Sequence, residues 1–156
     1  MYQVIVRAAG STTWVGLGWR PASLNSTCKQ FWGGAGREVV ATTSTRVPRL
    51  ARQAEDPADR FTPKGEFHAM DCTDIVVGRA RGGLGRIVDS YTRDRSTPLA
   101  DSQYGGTDSL TGGLAWEEEG DTVMMFRKPL VASHQSDHSL GPGPLQLIWA
   151  VGCLTF

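Results

Sequence analysis

Short apolar runs, each ended by glycine, proline or polar turn residues, recur along most of this chain. The 19 glycines and 8 prolines among its 156 residues favour frequent turns over long helices. β-Branched and aromatic residues, which suit strands, are common in the runs. Seven runs have this character, at residues 2–8, 13–19, 73–78, 86–92, 110–117, 121–127 and 145–151. Their succession predicts an all-β fold in which antiparallel sheets pack as a sandwich.

Neighbouring runs are expected to pair through the short turns between them. The first two runs are predicted to form one hairpin. The third and fourth form a second around the glycine-rich stretch 82–85, which opens no helix and so is no phosphate cradle. The fifth and sixth form a third across the acidic turn 117–121. In the fourth run, alternation places Ile87, Asp89 and Tyr91 on one face.

Residues 22–66 interrupt this pattern. They are rich in Ser, Thr, Gly, Arg and Pro, and they are too many for a plain loop in a compact domain. We interpret them as a long, irregular and mobile insertion in a single domain spanning residues 1–156, with one or two helical turns near residues 47–54. The chain starts inside a strand and ends in an apolar run, so we expect a domain incomplete at both ends, with a signal peptide missing upstream.

The charge balance excludes several kinds of partner. Lys plus Arg and Asp plus Glu both number 16, so the net charge is zero and no nucleic-acid footprint is present. No apolar stretch is long enough for a transmembrane helix, so membrane insertion by this chain is not expected. The spacing of serine, histidine and aspartate residues does not indicate a catalytic triad. The sequence also has no Cys-x-x-Cys pair of the kind found in zinc and redox sites. We do not expect an enzyme that works alone.

Three groups of residues resemble the DOMON domain, and they occur along the chain in the same order as in that family. The first is Trp14–Trp19, and the second is Met70–Gly78. The third comprises the strand 87–91, then Asp101, then the stretches 126–130 and 148–152. Together they cover roughly residues 1–21 and 66–152. The stretches 69–75 and 91–98 are similar to the Skeletor and Knickkopf branch of that family, whose members are associated with cuticle and matrix.

The resemblance implies an Ig-like β-sandwich that binds haem or sugars, usually outside the cell. It further implies a non-catalytic, extracellular binding or matrix-organising module, linked to cuticle or chitin, with matrix polysaccharide or protein as partner. Two alternatives remain open. One is a haem b-binding electron-transfer domain, and the other is an accessory domain of a larger oxidoreductase.

Met70 falls where haem-binding members of the family place an axial methionine. A thioether opposite an imidazole suits haem iron, but a methionine here can also simply pack in the core. The family's axial histidine follows the stretch 148–152, and the chain ends at Phe156 without one. His68 is too near Met70 to be its trans ligand, and His134 and His138 are predicted to be solvated loop histidines.

Cys28 and Cys72 are predicted to form a disulfide in an oxidising compartment. The bond would tether the insertion to the third strand. The alternative is two free thiols in a cytosolic chain, and Cys153 is left over in either case. Asn25 begins an Asn-x-Thr sequon and is a candidate glycosylation site.

The remaining candidates are polar loops and aromatic side chains. The stretch 93–95 and Asp101 either bind a polar ligand or, as we expect, form weak salt bridges at the surface. Four tryptophans could stack on sugar rings, although core packing is expected for at least two of them. They are Trp14, Trp19, Trp116 and Trp149.

Overall fold

Two antiparallel β-sheets pack face to face in the computed structural model, which describes residues 1–10, 13–25, 28, 67–95 and 97–153. The all-β sandwich is therefore confirmed. Its elements, in chain order, are β1 (Tyr2–Ala9), β2 (Thr13–Pro21), β3 (Thr73–Arg81), β4 (Leu84–Thr92), β5 (Leu99–Ala100), a 3₁₀ helix (Asp101–Tyr104), β6 (Gly112–Glu118), β7 (Asp121–Lys128) and β8 (Leu145–Cys153).

One sheet has three strands in the order β1-β7-β6, and the other has five in the order β5-β4-β3-β2-β8. Two predicted hairpins are confirmed. β3 pairs with β4, and β6 pairs with β7. Their turns place Gly82, Gly83 and Gly120 at positive φ, where a residue without Cβ meets no steric penalty.

The predicted hairpin of the first two runs is wrong, because β1 and β2 belong to different sheets. β1 pairs with β7, whereas β2 lies between β3 and β8. The two strands instead face each other across the core, where the rings of Tyr2 and Trp19 meet edge to face at 5.9 Å. Alternation identifies a strand and its buried face. It does not reveal which of the two sheets of a sandwich the strand joins.

The core between the sheets is built on large side chains from β2, β3 and β7. Trp19 stacks on Phe126 with ring centroids 6.1 Å apart, and both side chains are buried. Met124 fills the space above Gly78, where an added Cβ would lie 2.6 Å from its sulfur. Burying each such side chain contributes roughly 1.5–3 kcal/mol to stability.

The predicted disulfide is present. Cys28 and Cys72 are bonded across a sequence separation of 44 residues, and both are buried beside Tyr91. Asn25, the candidate glycosylation site, is exposed. The rest of the predicted insertion, residues 26–27 and 29–66, lies outside the described residues.

Within the described ranges, no helix is both long and apolar enough to cross a bilayer.

Candidate functional site

A groove of about 480 Å³ lies on the outer face of the five-stranded sheet. Its walls are mostly apolar side chains that point away from the core on β2, β3, β4 and β8, and the segment around β5 closes one side. The main apolar wall residues are Trp14, Ile75, Val77, Val88, Ile148 and Ala150. Strand alternation places these residues on one face, opposite the residues that fill the core.

Two glycines of β2 share this outer face. Gly16 and Gly18 lie opposite Ala150 and Ile148 of β8. An added Cβ at Gly18 would lie 2.7 Å from the side chain of Thr73, so a larger residue there would displace its neighbour. Trp14 shares this outer face with the two glycines, whereas Trp19 lies on the opposite, buried face.

Met70 lines the same groove from the turn that precedes β3. The backbone around it is fixed by side chains. The hydroxyl of Thr92 donates to the carbonyl of Met70, and the hydroxyl of Thr73 donates to the carbonyl of Ala69 at 3.1 Å. Met70 is only partly buried and does not belong to either buried cluster of the core, so it borders the groove instead of packing between the sheets.

Arg79 and Arg86 line one part of the groove and lie directly opposite each other on β3 and β4. Both are exposed, and in the described part of the chain neither guanidinium forms an ion pair. Like charges in directly opposed positions destabilise a sheet. A guanidinium is also the side chain best suited to hold a carboxylate through paired hydrogen bonds. The arrangement therefore favours an anionic group at this part of the groove.

None of the groove-lining residues is a histidine. His138 is partly buried, and its Nε2–H donates to the carbonyl of Cys72 at 2.6 Å. Burial lowers the pKa of His138, and the bond to Cys72 only partly opposes this effect. The prediction of a solvated side chain is wrong for His138, because the loop folds back onto the disulfide. His134 is exposed, as predicted, and shares a hydrogen bond of 2.7 Å with Thr107.

The groove residues can be tested against haem, which the DOMON resemblance implies. Apolar walls suit its ring, the thioether of Met70 suits its iron, and the paired arginines suit its two carboxylates. An imidazole opposite the thioether is not among the residues that line the groove. Among the groove-lining residues, Met70 could therefore ligate haem iron, and Arg79 and Arg86 could hold its carboxylates.

A second polar centre lies on the opposite, inner face of the sheet. The ammonium of Lys128 on β7 contacts three buried carboxylates, those of Asp74 at 2.6 Å, Asp89 at 2.8 Å and Asp137 at 2.9 Å. Its nitrogen also lies 5.1 Å from the ring centre of Trp19. The cluster ties together β3, β4, β7 and the loop that leads to β8.

Backbone and hydroxyl donors complete this Lys128 cluster. The N–H of His138 donates to Asp74 at 3.0 Å, and Ser109 donates to Asp89 through both its N–H and its hydroxyl. Burial raises the pKa of Asp74, and the neighbouring ammonium opposes the rise. Burial alone would lower the pKa of Lys128, but Asp74 and Asp89 outweigh it and hold the pKa above its ordinary value. The ammonium therefore stays charged.

The Lys128 cluster was not anticipated from the sequence, although a signal for it exists. Alternation places Asp89 with Ile87 and Tyr91 on the inner face. The same rule places Lys128 two residues after Phe126, which is core. Opposite charges at inward positions of separate strands indicate a buried ion pair.

Three of the four predicted polar loop residues, Arg93, Asp94 and Asp101, are buried, which contradicts the prediction of salt bridges at the surface. Arg93 contacts Asp94 at 3.0 Å, and these side chains are 3% and 1% exposed. Asp101 is 1% exposed, whereas Arg95 is exposed. Arg93 lies beside the disulfide, where the N–H of Cys72 donates to the carbonyl of Arg93 at 3.4 Å.

The tryptophans follow three different patterns. Trp19 is buried, whereas Trp14 and Trp116 are only partly covered, so full burial is found at only one of the four. Trp149 is 75% exposed. It points to the inner side of β8, next to Leu147, but the three-stranded sheet ends at β1 and does not extend over β8.

Comparisons with protein-family models, with curated proteins and with solved structures find no match for this chain. The likeness to DOMON domains therefore stays a prediction.

Proposed function

We propose that this chain is a non-catalytic, extracellular binding module and that its ligand occupies the groove on the outer face of the five-stranded sheet. The observation that carries the proposal is the convergence of apolar walls, Met70 and the opposed Arg79 and Arg86 in one groove. Its volume lies in the range of about 300–1,000 Å³ typical of small-molecule sites. The disulfide supports an oxidising compartment.

The groove favours a flat, apolar ligand that carries one or two carboxylates. Haem b has these properties and adds an iron that a thioether can ligate. In this proposal Met70 contacts the iron, Arg79 and Arg86 hold the carboxylates, and the wall residues exclude water from the ring. Haem is therefore the first ligand to test.

Titration of the purified chain with haemin, followed by its Soret absorption, tests the proposal. We expect saturable binding, and we expect Met70→Leu to weaken it at least tenfold or to shift the band, because leucine keeps the apolar volume and removes the sulfur. Met125→Leu is the matched control, since Met125 lies on β7 in the other sheet. Absence of binding by folded protein, or equal binding by the Met70→Leu variant, would contradict haem as the ligand.

A second candidate ligand is a matrix polysaccharide such as chitin, and a different surface favours it. Trp149 is 75% exposed and lies beside Leu147, which is 63% exposed. An exposed indole can stack on a pyranose ring. This surface faces away from the groove, so the two ligands are separable by mutation.

Co-sedimentation with insoluble chitin tests this candidate. We expect Trp149→Ala to abolish retention and Met70→Leu to leave it unchanged. Retention that survives Trp149→Ala, or no retention of the wild-type chain, would eliminate this surface as a polysaccharide site.

A further inference from the structure

One row of residues crosses the end of the outer groove where the two arginines lie. Gly152 of β8 lies opposite Trp14 of β2, and Trp14 lies opposite Arg79 of β3. Arg79 in turn lies opposite Arg86 of β4. Directly opposed residues point to the same face of a sheet. This Trp14 row therefore places one indole and two guanidinium groups on three neighbouring strands that together span roughly 10 Å.

The indole of Trp14 occupies the space that a side chain at Gly152 would need. A Cβ at Gly152 would lie 2.4 Å from Nε1 of the indole, and 2.7 Å and 2.9 Å from its Cε2 and Cζ2 atoms. Because non-bonded carbon atoms pack at about 3.5–4.0 Å, any side chain at Gly152 would displace the ring. An added Cβ at Gly16 would lie 3.5 Å from Cζ3 of the same ring. The indole therefore leans over β8, on the side opposite to Arg79.

Gly152 lies inside a strand, where glycine is unfavourable. Glycine weakens a strand and often marks a place where another group approaches the backbone closely. At Gly152 the group that approaches is the indole of Trp14. A ring displaced from β8 would move toward β3, the strand on its other side, and would crowd Arg79. The absent side chain thus keeps both the indole and the guanidinium available to a ligand, and both Trp14 and Arg79 line the groove.

The positive charges are confined to this end of the groove. The next two rows along the strands carry no charged residue. They comprise Ala150, Gly16, Val77 and Val88, followed by Ile148, Gly18, Ile75 and Ser90. Met70 lies at the other end, because its carbonyl accepts a hydrogen bond from Thr92, which pairs with Thr73 at the start of β3. A ligand in the groove therefore has its acidic groups at the Trp14 row and its apolar part toward Met70.

The side chains of the Trp14 row match a conjugated ring that bears acidic groups. An indole stacks on another flat ring in an offset or edge-to-face arrangement. A guanidinium holds a carboxylate through two parallel hydrogen bonds. Within the described ranges neither Arg79 nor Arg86 forms an ion pair, so two carboxylates would balance their two charges. A ring with a single carboxylate would leave the two cations only partly neutralised.

We propose that Trp14 is the stacking platform of the outer groove and that Gly152 is a positioning residue that keeps the indole over β8. The groove then selects a conjugated ring with two carboxylates on neighbouring arms, stacked on Trp14 and held by Arg79 and Arg86. This inference rests on the proposed function, and it adds the orientation of the ligand. It also gives a role to Gly152, which is not among the residues that line the groove.

The indole signal of Trp14 in ¹⁵N–¹H spectra tests the position of the ring without any ligand. This signal is the Nε1–H resonance that Trp14→Leu removes. We expect Gly152→Ala to shift it and to leave the indole signal of Trp116, in the other sheet, in place. Gly112→Ala is the matched control, since an added Cβ at Gly112 in β6 would meet no atom within 4 Å. An unchanged Trp14 signal in folded Gly152→Ala protein would overturn the role of Gly152.

The affinity for protoporphyrin IX tests the stacking. We expect Trp14→Leu and Gly152→Ala each to weaken binding by roughly threefold to tenfold, which corresponds to the loss of one stacked aromatic pair. The double variant should bind as Trp14→Leu does, because Gly152 acts only through the indole. Gly112→Ala should bind as the wild type does.

The number of carboxylates is tested with the monomethyl ester of protoporphyrin IX, which keeps the ring and loses one acidic group. We expect the wild type to bind this ester several-fold more weakly than the diacid. Equal affinity for the two compounds would contradict the selection for two carboxylates.

The outcomes separate this inference from the proposed function. A Trp14→Leu variant that binds porphyrin with wild-type affinity would refute the stacking role and leave the groove as the ligand site. Absence of porphyrin binding by the folded wild type would refute both. Circular dichroism establishes that each variant is folded. If Gly152→Ala does not fold, the affinities of Trp14→Leu and of the monomethyl ester decide the question.

Discussion

Arg79 and Arg86 lie directly opposite each other on β3 and β4, and both side chains border the outer groove. A sheet gains nothing from two opposed cations, because their repulsion destabilises the pairing of the strands. Their position beside apolar walls and a thioether is accounted for if they hold an acidic group of the ligand. The cost to stability and the gain in binding are separable by mutation.

Replacing one of these arginines should therefore affect stability and binding in opposite directions. We expect Arg86→Gln to raise the free energy of unfolding by about 0.2–1 kcal/mol and to weaken haemin binding several-fold. Urea denaturation and Soret titration measure the two effects. Arg95→Gln, at an exposed loop position, is the control. A variant that loses stability and binds haemin with unchanged affinity would contradict the role assigned to the pair.

Lys128 should be one of the most sensitive positions in the fold. Lys128→Met keeps most of the side-chain volume but leaves three buried carboxylates without their counter-ion, so we expect it to lower the free energy of unfolding by about 3–5 kcal/mol. The neighbouring Arg127 is exposed, and Arg127→Met should cost no more than about 1 kcal/mol. Urea denaturation compares the two variants. A Lys128→Met variant within 1 kcal/mol of the wild type would show that the cluster contributes little.

Asp101 should make the protein less stable as the pH rises from about 4 to about 7. Burial raises its pKa in the folded state from the ordinary 3.8 to about 7. In this range the folded chain holds a proton that the unfolded chain has lost, so stability falls with rising pH until Asp101 is ionised in both states.

Two other buried groups contribute. Burial raises the pKa of Asp74, which therefore acts in the same direction as Asp101, whereas His138 acts in the opposite direction. Burial lowers the pKa of His138 below its ordinary 6.5, so stability falls as the pH decreases through that value. The difference in stability between the wild type and Asp101→Asn, measured across this pH range, isolates the contribution of the carboxyl. We expect the variant to gain stability relative to the wild type as the pH rises to 7. A difference that does not change with pH would argue against a raised pKa.

The disulfide closes a long loop and should contribute substantially to stability. Its sequence separation is 44 residues, for which the chain-entropy relation gives about 4 kcal/mol. We expect a Cys28→Ser, Cys72→Ser double variant to melt well below the wild type and to be insensitive to reductant. Cys153→Ser should keep the reductant-sensitive melting of the wild type. Equal melting temperatures with and without reductant for the wild type would exclude this role.

The sequence pattern predicts the strands better than it predicts their partners. The turns at Gly82–Gly83 and Gly120 bring neighbouring runs together, so two hairpins follow from local signals. β1 and β2 show the same alternation and a plausible turn between them, yet they face each other in different sheets. The contact of Tyr2 with Trp19 is one part of that arrangement, which depends on the packing of the whole core.

The candidate sites were predictable only in part, for a related reason. Met70 was identified through a family resemblance, and the structure places it at the groove. The pairing of Arg79 with Arg86 depends on the strand register, which alternation alone does not reveal. Asp101 lies in a polar stretch whose composition is typical of a surface loop. Its side chain is nevertheless buried, because residues far away in the chain pack against it. Long-range packing therefore determines which residues line the groove and which polar side chains are buried.

The position of a ligand in the outer groove is tested most directly by nuclear magnetic resonance. Protoporphyrin IX, which has the ring and the carboxylates of haem but no iron, is titrated into ¹⁵N-labelled protein. We predict that the largest amide shifts occur at groove residues such as Val77, Val88 and Ala150, while residues of β6 stay unchanged. Shifts confined to other surfaces, or none at saturating porphyrin, would contradict the claim that this groove is the binding site.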